Sequence, residues 1–145
     1  MPLLNYTTKI DADKTAHEIA KCLSMHGAQA VLTEYDKKEG YVLAISFRID
    51  LEGQTVGFRL PCDWKPVLEI LKRDPKVPRN QITEVQAVRV AWRIVKDWVE
   101  AQMALVETKM ATTQEVFLPY AVMKNGRTLA QNIATNPEML LGDGN

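Results

Sequence analysis

The chain lacks most of what a secreted, membrane-spanning or catalytic protein needs. Two cysteines, Cys22 and Cys62, are too few for a disulfide scaffold, and we read them as reduced thiols. No apolar run approaches the roughly 18 residues that cross a bilayer. The start, "MPLLNYTTKID", has neither the basic opening nor the apolar core of a signal peptide, so a cytoplasmic location is expected. Net charge is absent too: 18 basic residues balance 18 acidic ones, which removes the simplest argument for a polyanion binder. No GxSxG, HExxH or phosphate-binding glycine loop occurs, so the chain is not expected to be an enzyme. Asp11 with Asp13 and Glu34 with Asp36 are paired carboxylates. The first pair suits a helix cap and the second a solvated hairpin end.

Metal chemistry is also poorly supplied. Cys22 and His26 are four apart and share a helix face, and Cys62 lies at a strand end with room to approach them. Zinc needs three or four converging ligands, and His17 falls off that face. We therefore expect no metal and no cofactor, with Cys22 as a small core residue and His26 beside a helix end.

What the chain does have is a globular composition, 46% hydrophobic and 25% charged over 145 residues. That is enough to bury one core. We expect a single α+β domain over 1–145, divided into an α+β core (1–82), a long packing helix (83–116) and an irregular tail (117–145). "YTTKI" reads as a short N-terminal strand. Ala16, Ile19, Ala20 and Leu23 recur at helical spacing, and Gly27 supplies a stop, which predicts a helix over about 12–26.

The clearest β signal is "YVLAISFRIDLEGQTVGFRLP". A tight turn at Glu52-Gly53 pairs Leu51 with Gln54, and then sets Ile49 opposite Val56, Phe47 opposite Phe58 and Ile45 opposite Leu60. With "AQAVLTEY" upstream this makes a three-stranded antiparallel meander. "CDWKPVLEILKRDP" reads as a short helix capped by Asp63, with Val67, Ile70 and Leu71 inward.

No proline or glycine occurs between Pro78 and Pro119. Thr83 and Gln86 fit a capping box, and a helix of about 30 residues, 84 to about 115, would run roughly 45 Å. Its two adjoining apolar stripes exceed what a helix packed on one side needs. The expectation is therefore a homo-oligomer, a dimer favoured, with Val88, Trp92, Val95, Trp98, Val99, Leu105 and Val106 at the interface. In the tail, "KNGR" is a turn joining two short strands, "RTLAQNIA" one or two helical turns, and "GDGN" a loose end.

The charge balance is uneven. Residues 65–96 hold eight basic residues against Glu69, Asp74 and Glu84. Phosphate contacts need lysine or arginine at the surface. The candidates for nucleic acid or another anionic ligand are Lys72, Arg73, Lys76, Arg79, Arg89, Arg93 and Lys96, with Arg48 and Arg59 on the meander. Trp64 and Tyr41 are possible stacking platforms. The helix–meander–helix order resembles a double-stranded-RNA-binding domain, although the lysine-rich start of that family's last helix is absent.

Five segments, "NYTTKIDADKTAHEI", "HGAQAVLTEYD", "GFRLPCDWKPVL", "VAWRIVKDWVEAQMALVET" and "VFLPYAVMKNGRTL", span nearly the whole chain. Through them it resembles a family of small proteins encoded by phages and prophages of Gram-positive hosts. The resemblance implies early phage functions in a bacterial cytoplasm and carries no catalytic residues. The leading expectation is a non-catalytic oligomeric accessory protein that binds replication or recombination intermediates through the 65–96 surface. The alternative is an inhibitor of anti-phage defence that binds a host protein or sequesters a signalling nucleotide.

Overall fold

A computed structural model describes residues 2–140. Along the chain run α1 (Ala12–Met25), β1 (Ala28–Tyr35), β2 (Val42–Leu51), β3 (Gln54–Arg59), α2 (Trp64–Arg73), α3 (Glu84–Glu107), α4 (Thr113–Phe117) and α5 (Leu129–Thr135). Short 3-10 turns lie at Arg79–Gln81, Leu118–Tyr120 and Pro137–Leu140. The expectation for "GDGN" falls outside the described residues. The α+β class and the antiparallel meander, in the order β1-β2-β3, agree with the sequence reading.

The β2–β3 register is the one that the apolar pattern dictates: Leu51 faces Gln54, Ile49 faces Val56 and Phe47 faces Phe58. Beyond β3, the Leu60 N–H donates to the Ile45 carbonyl at 2.9 Å, which extends the pairing by one step. A one-residue slip would turn Ile45, Phe47 and Ile49 to solvent, so the register is strongly specified. The hairpin tip needs left-handed backbone at both central residues, and Glu52 (φ 52°) and Gly53 (φ 84°) supply it. One detail of the alternation differs. A bulge where β1 passes from Glu34 to Tyr35 skips Leu43 in the pairing. Val42 is thereby turned inward and Leu43 left 51% exposed.

Helices α1 and α3 pack together, and α1 lies beneath β1 and β2. The main core joins Ile19 and Leu23 of α1, Ile45, Phe47, Ile49 and Phe58 of the sheet, and Val88, Trp92, Val95, Val99 and Met103 of α3. Trp92 is its largest fully buried side chain, and the indole N–H is satisfied by the Val42 carbonyl at 2.9 Å. A second cluster unites Val67 and Leu71 of α2, Val77 of the following loop, and Ala87, Val90 and Ala91 of α3. Helix α3 thus contributes to both clusters.

Two expectations need correction. Residues 6–10 form no strand. Tyr6 and Thr8 lie in turns whose N–H groups bond to Leu3 and Asn5 carbonyls, and Asn5 is left-handed (φ 65°). The segment is tied to α3 instead: the buried Gln86 amide donates to the Tyr6 and Thr8 carbonyls at 3.1 and 2.8 Å. Gln86 therefore closes no capping box. Thr83 accepts from the Gln86 N–H, but the Gln86 side chain has gone to the N-terminal segment.

The long helix is also shorter than expected, 24 residues rather than about 30. Lys109 takes up left-handed backbone (φ 66°), and the Met110 N–H bonds back to the Leu105 carbonyl at 3.0 Å, which closes the helix end without a glycine. Thr112 and Glu115 then cap each other reciprocally to start α4. The turn delivers Phe117 to full burial against Phe47, Phe58 and Trp98, with ring centroids 5.2, 5.9 and 5.5 Å away. Burying one such ring contributes about 1.5–3 kcal/mol, more than a few further helical residues would.

In the tail, the "KNGR" turn closes with the Met123 N–H on the Arg127 carbonyl, and Val122 pairs with Thr128 in a single bridge. A reciprocal cap between Thr128 and Gln131 starts α5.

Candidate nucleic-acid interface

The stretch from Lys65 to Arg79 is held out by a well-anchored scaffold. Asp63 caps α2 by accepting from the Lys65 N–H, and Pro66 falls in the first turn, where no backbone donor is missed. Val67 and Leu71 anchor the inner face in the second cluster. The outer face carries Lys65, Glu69, Lys72 and Arg73, all exposed. Past the helix, Asp74 accepts from the Lys76 N–H at 2.9 Å, and Val77 plugs inward at 6% exposure. That single plug fixes the loop, so Lys76 and Arg79 on either side project outward.

Among the described residues Lys65, Arg73, Lys76 and Arg79 form no ion pair, and Lys72 has only Glu69, at 3.4 Å on the same exposed face. Exposed pairs of that kind contribute little. An open hollow of about 420 Å³ lies at the end of α2, lined by Pro2, Leu3, Ile70, Arg73, Asp74, Pro75 and Lys76.

The α3 cations sit in a different environment. Arg89 binds Asp11 at 3.0 Å, Arg93 binds Glu18 at 2.5 Å, and Lys96 lies between Glu100 at 2.8 Å and Glu18 at 4.0 Å. The Arg93 and Lys96 side chains are only 13% and 16% exposed. Asp11 makes no side-chain cap on α1 because its carboxylate has turned to Arg89. Arg93 and Lys96 are neutralised by Glu18 and Glu100, and Arg93 ties α1 to α3, while the Arg89 pair is more open, with Asp11 72% exposed. On the meander, Arg48 is exposed, while Arg59 pairs with Glu34 at 3.4 Å across the outer face of the sheet.

The proposed stacking platforms face each other. Trp64 and Tyr41 meet edge to face with centroids 6.3 Å apart, and the Tyr41 hydroxyl donates to Glu84 at 3.4 Å. Trp64 is half-buried between the two clusters.

The residues expected at an oligomer interface are largely spent inside the chain. Val88, Trp92, Val95 and Val99 are between 0% and 8% exposed. Trp98 is half-buried under Phe117 and Tyr120, and Leu105 and Val106 are half-buried. Beside them, Ile94, Trp98 and Leu105 keep a half-buried apolar edge and Ala101 is exposed.

Cys22, His26 and Cys62 do not gather. The His26 ring donates from Nδ1 to the Cys22 carbonyl at 2.8 Å, while Nε2 lies 3.8 Å from Glu107. Burial, reinforced by the Asp63 carboxylate, pushes the Cys62 thiol up to about 12, so it stays protonated and unreactive. Among the described residues no group of three or more His, Cys, Asp and Glu is placed to hold a metal ion, and no helix is long and apolar enough to cross a membrane.

Comparison with protein-family models, with curated proteins and with solved structures finds no match to this chain.

Proposed function

We propose that this is a non-catalytic phage accessory protein that binds nucleic acid through α2 and the loop after it. The contacts run through Lys65, Lys72, Arg73, Lys76 and Arg79, with Arg48 as an outlier. The observation that carries this reading is the contrast between these exposed cations and the paired ones on α3. Cations left in water with no carboxylate partner are available to displace counterions from phosphates, and paired ones are not. The site is accordingly smaller than the 65–96 segment: Arg89, Arg93 and Lys96 serve the fold, and Arg59 is engaged by Glu34. Handling of replicating or recombining DNA fits the resemblance to phage-encoded proteins.

Fluorescence anisotropy with single-stranded DNA, duplex DNA and RNA tests it. Affinity should fall steeply between about 50 and about 200 mM salt. Absence of binding to all three, or a flat salt response, overturns the reading.

One observation favours a second reading, capture of a small anionic nucleotide in defence signalling. The 420 Å³ hollow beside Arg73 and Lys76 is within the size range of ligand pockets. Calorimetry with cyclic nucleotides separates the two: saturable one-site binding together with no affinity for polynucleotides would replace the first reading with this one.

A further inference from the structure

The two edges of the sheet are treated differently by the chain. At β3 the tail supplies cover: the Val122 N–H donates to the Gly57 carbonyl at 2.8 Å, and Ala121 bridges Phe58. At β1 nothing comparable occurs. Its eight residues pair with β2 alone, and among the described residues no other backbone group bonds to them. Alternate residues of such a strand turn their N–H and C=O groups away from the sheet. Proteins that stay monomeric usually blunt such an edge with lysine, proline or a central bulge. "AQAVLTEY" contains no lysine, arginine or proline, and its irregularities lie at the two ends, leaving Ala30–Glu34 regular.

We propose that β1 pairs antiparallel with β1 of a second copy about a two-fold axis at Leu32, joining two three-stranded sheets into one of six strands. An extended backbone is the only structure that matches an open ladder. A second copy of the chain supplies such a backbone in a register that opposes no like charges. A two-fold axis perpendicular to the sheet sets each residue opposite one on the same face. Centred on Leu32, it places Leu32 against the second copy's Leu32, Val31 against Thr33, and Ala30 against Glu34.

Glu34 is the strand's only charged residue, and in this register it meets an alanine rather than its own counterpart, so no like charges oppose. It also keeps its pairing with Arg59 of its own chain. Leu32, 58% exposed on the outer face, is covered by its symmetry mate. Glu18 marks the side of α1 that faces α3, and helical spacing puts Asp13, His17, Ala20 and Ser24 on the opposite side. The proposal is independent of the nucleic-acid reading and uses none of its residues.

Light scattering on the full chain, from low to high micromolar concentration, should show a reversible monomer–dimer equilibrium. Leu32→Lys sets two ammonium groups against each other at the axis. It should weaken the dimer on the order of 100-fold while leaving the circular dichroism unchanged, because Leu32 is exposed in the single chain. In a Cys22→Ser, Cys62→Ala background, Leu32→Cys should form an interchain disulfide under mild oxidation and Leu118→Cys should not. A chain that is monomeric throughout overturns the proposal. So does a dimer that is indifferent to Leu32→Lys and forms no Leu32→Cys cross-link.

Discussion

Two groups of cations lie within about thirty residues of one another, and the fold treats them in opposite ways. Arg89, Arg93 and Lys96 on α3 meet Asp11, Glu18 and Glu100, and two of the three are mostly withdrawn from water. Lys65, Lys72, Arg73, Lys76 and Arg79, on α2 and its loop, stay exposed, with Glu69 as the one ion-pair partner among the described residues. In the sequence both groups form one basic stretch. The difference teaches that local charge excess measures the supply of cations, while their availability depends on where the carboxylates of distant segments come to rest.

The sharpest way to break the comparison is to attack the packing side of α3. Trp92→Ala removes a fully buried ring and the indole N–H that donates to the Val42 carbonyl. Denaturant unfolding should register a loss of about 3–5 kcal/mol. A loss under about 1 kcal/mol would mean that α3 is not the central packing element.

Next in size is the exchange of charge at the two sites. Arg73→Glu with Lys76→Glu and Arg79→Glu should lower nucleic-acid affinity by at least about tenfold and flatten the salt slope, with stability changed by about 0.5 kcal/mol per site or less. Arg93→Ala should do the reverse. It leaves the partly buried Glu18 with only Lys96, 4.0 Å away, costing about 1–3 kcal/mol of stability by thermal or chemical unfolding, and it should leave affinity unchanged once the protein is folded. If Arg93→Ala abolishes binding while preserving stability, the assignment of the two groups is inverted.

At neutral pH the smallest effect is expected at Cys62. Its thiol is raised from the usual 9.0 to about 12 in the folded chain, so the folded state holds the proton more tightly than the unfolded state. Stability from this group is present below pH 9 and declines as pH rises from 9 toward 12, because only the unfolded chain ionises in that window. Cys62→Ala should therefore show a shallower alkaline fall in stability than the wild type. An aromatic disulfide reagent should modify Cys22 well before Cys62, whose thiol is raised further by deeper burial. Equal rates at neutral pH would contradict that order.

How much of this was legible in the sequence depends on the range of the signal. The register of β2 on β3 was readable because side chains alternate with period two and the Glu52-Gly53 turn fixes the phase. The bounds of α1 and α2 followed from apolar spacing with a stop at Gly27 and a cap at Asp63. Two further caps carry the same kind of short-range signal. Thr112 with Glu115 and Thr128 with Gln131 both have the three-residue spacing of a reciprocal cap, and the first marks the break that shortens the long helix. The strand expected at Tyr6–Ile10 failed for another reason. Its β-branched residues have the pattern of a strand, but the segment opens in turns and its carbonyls are bound to the Gln86 side chain instead of a sheet edge.

By itself the sequence determined where helices and strands begin, which faces are apolar and how the hairpin registers, because those properties depend on neighbours a few residues apart. Only the tertiary structure decided which cations remain free and which apolar stripes remain uncovered. Arg93 finds Glu18 across 75 residues and Arg89 finds Asp11 across 78. Coulomb attraction and apolar burial act through space at a few ångströms, and no spacing along the chain records those distances.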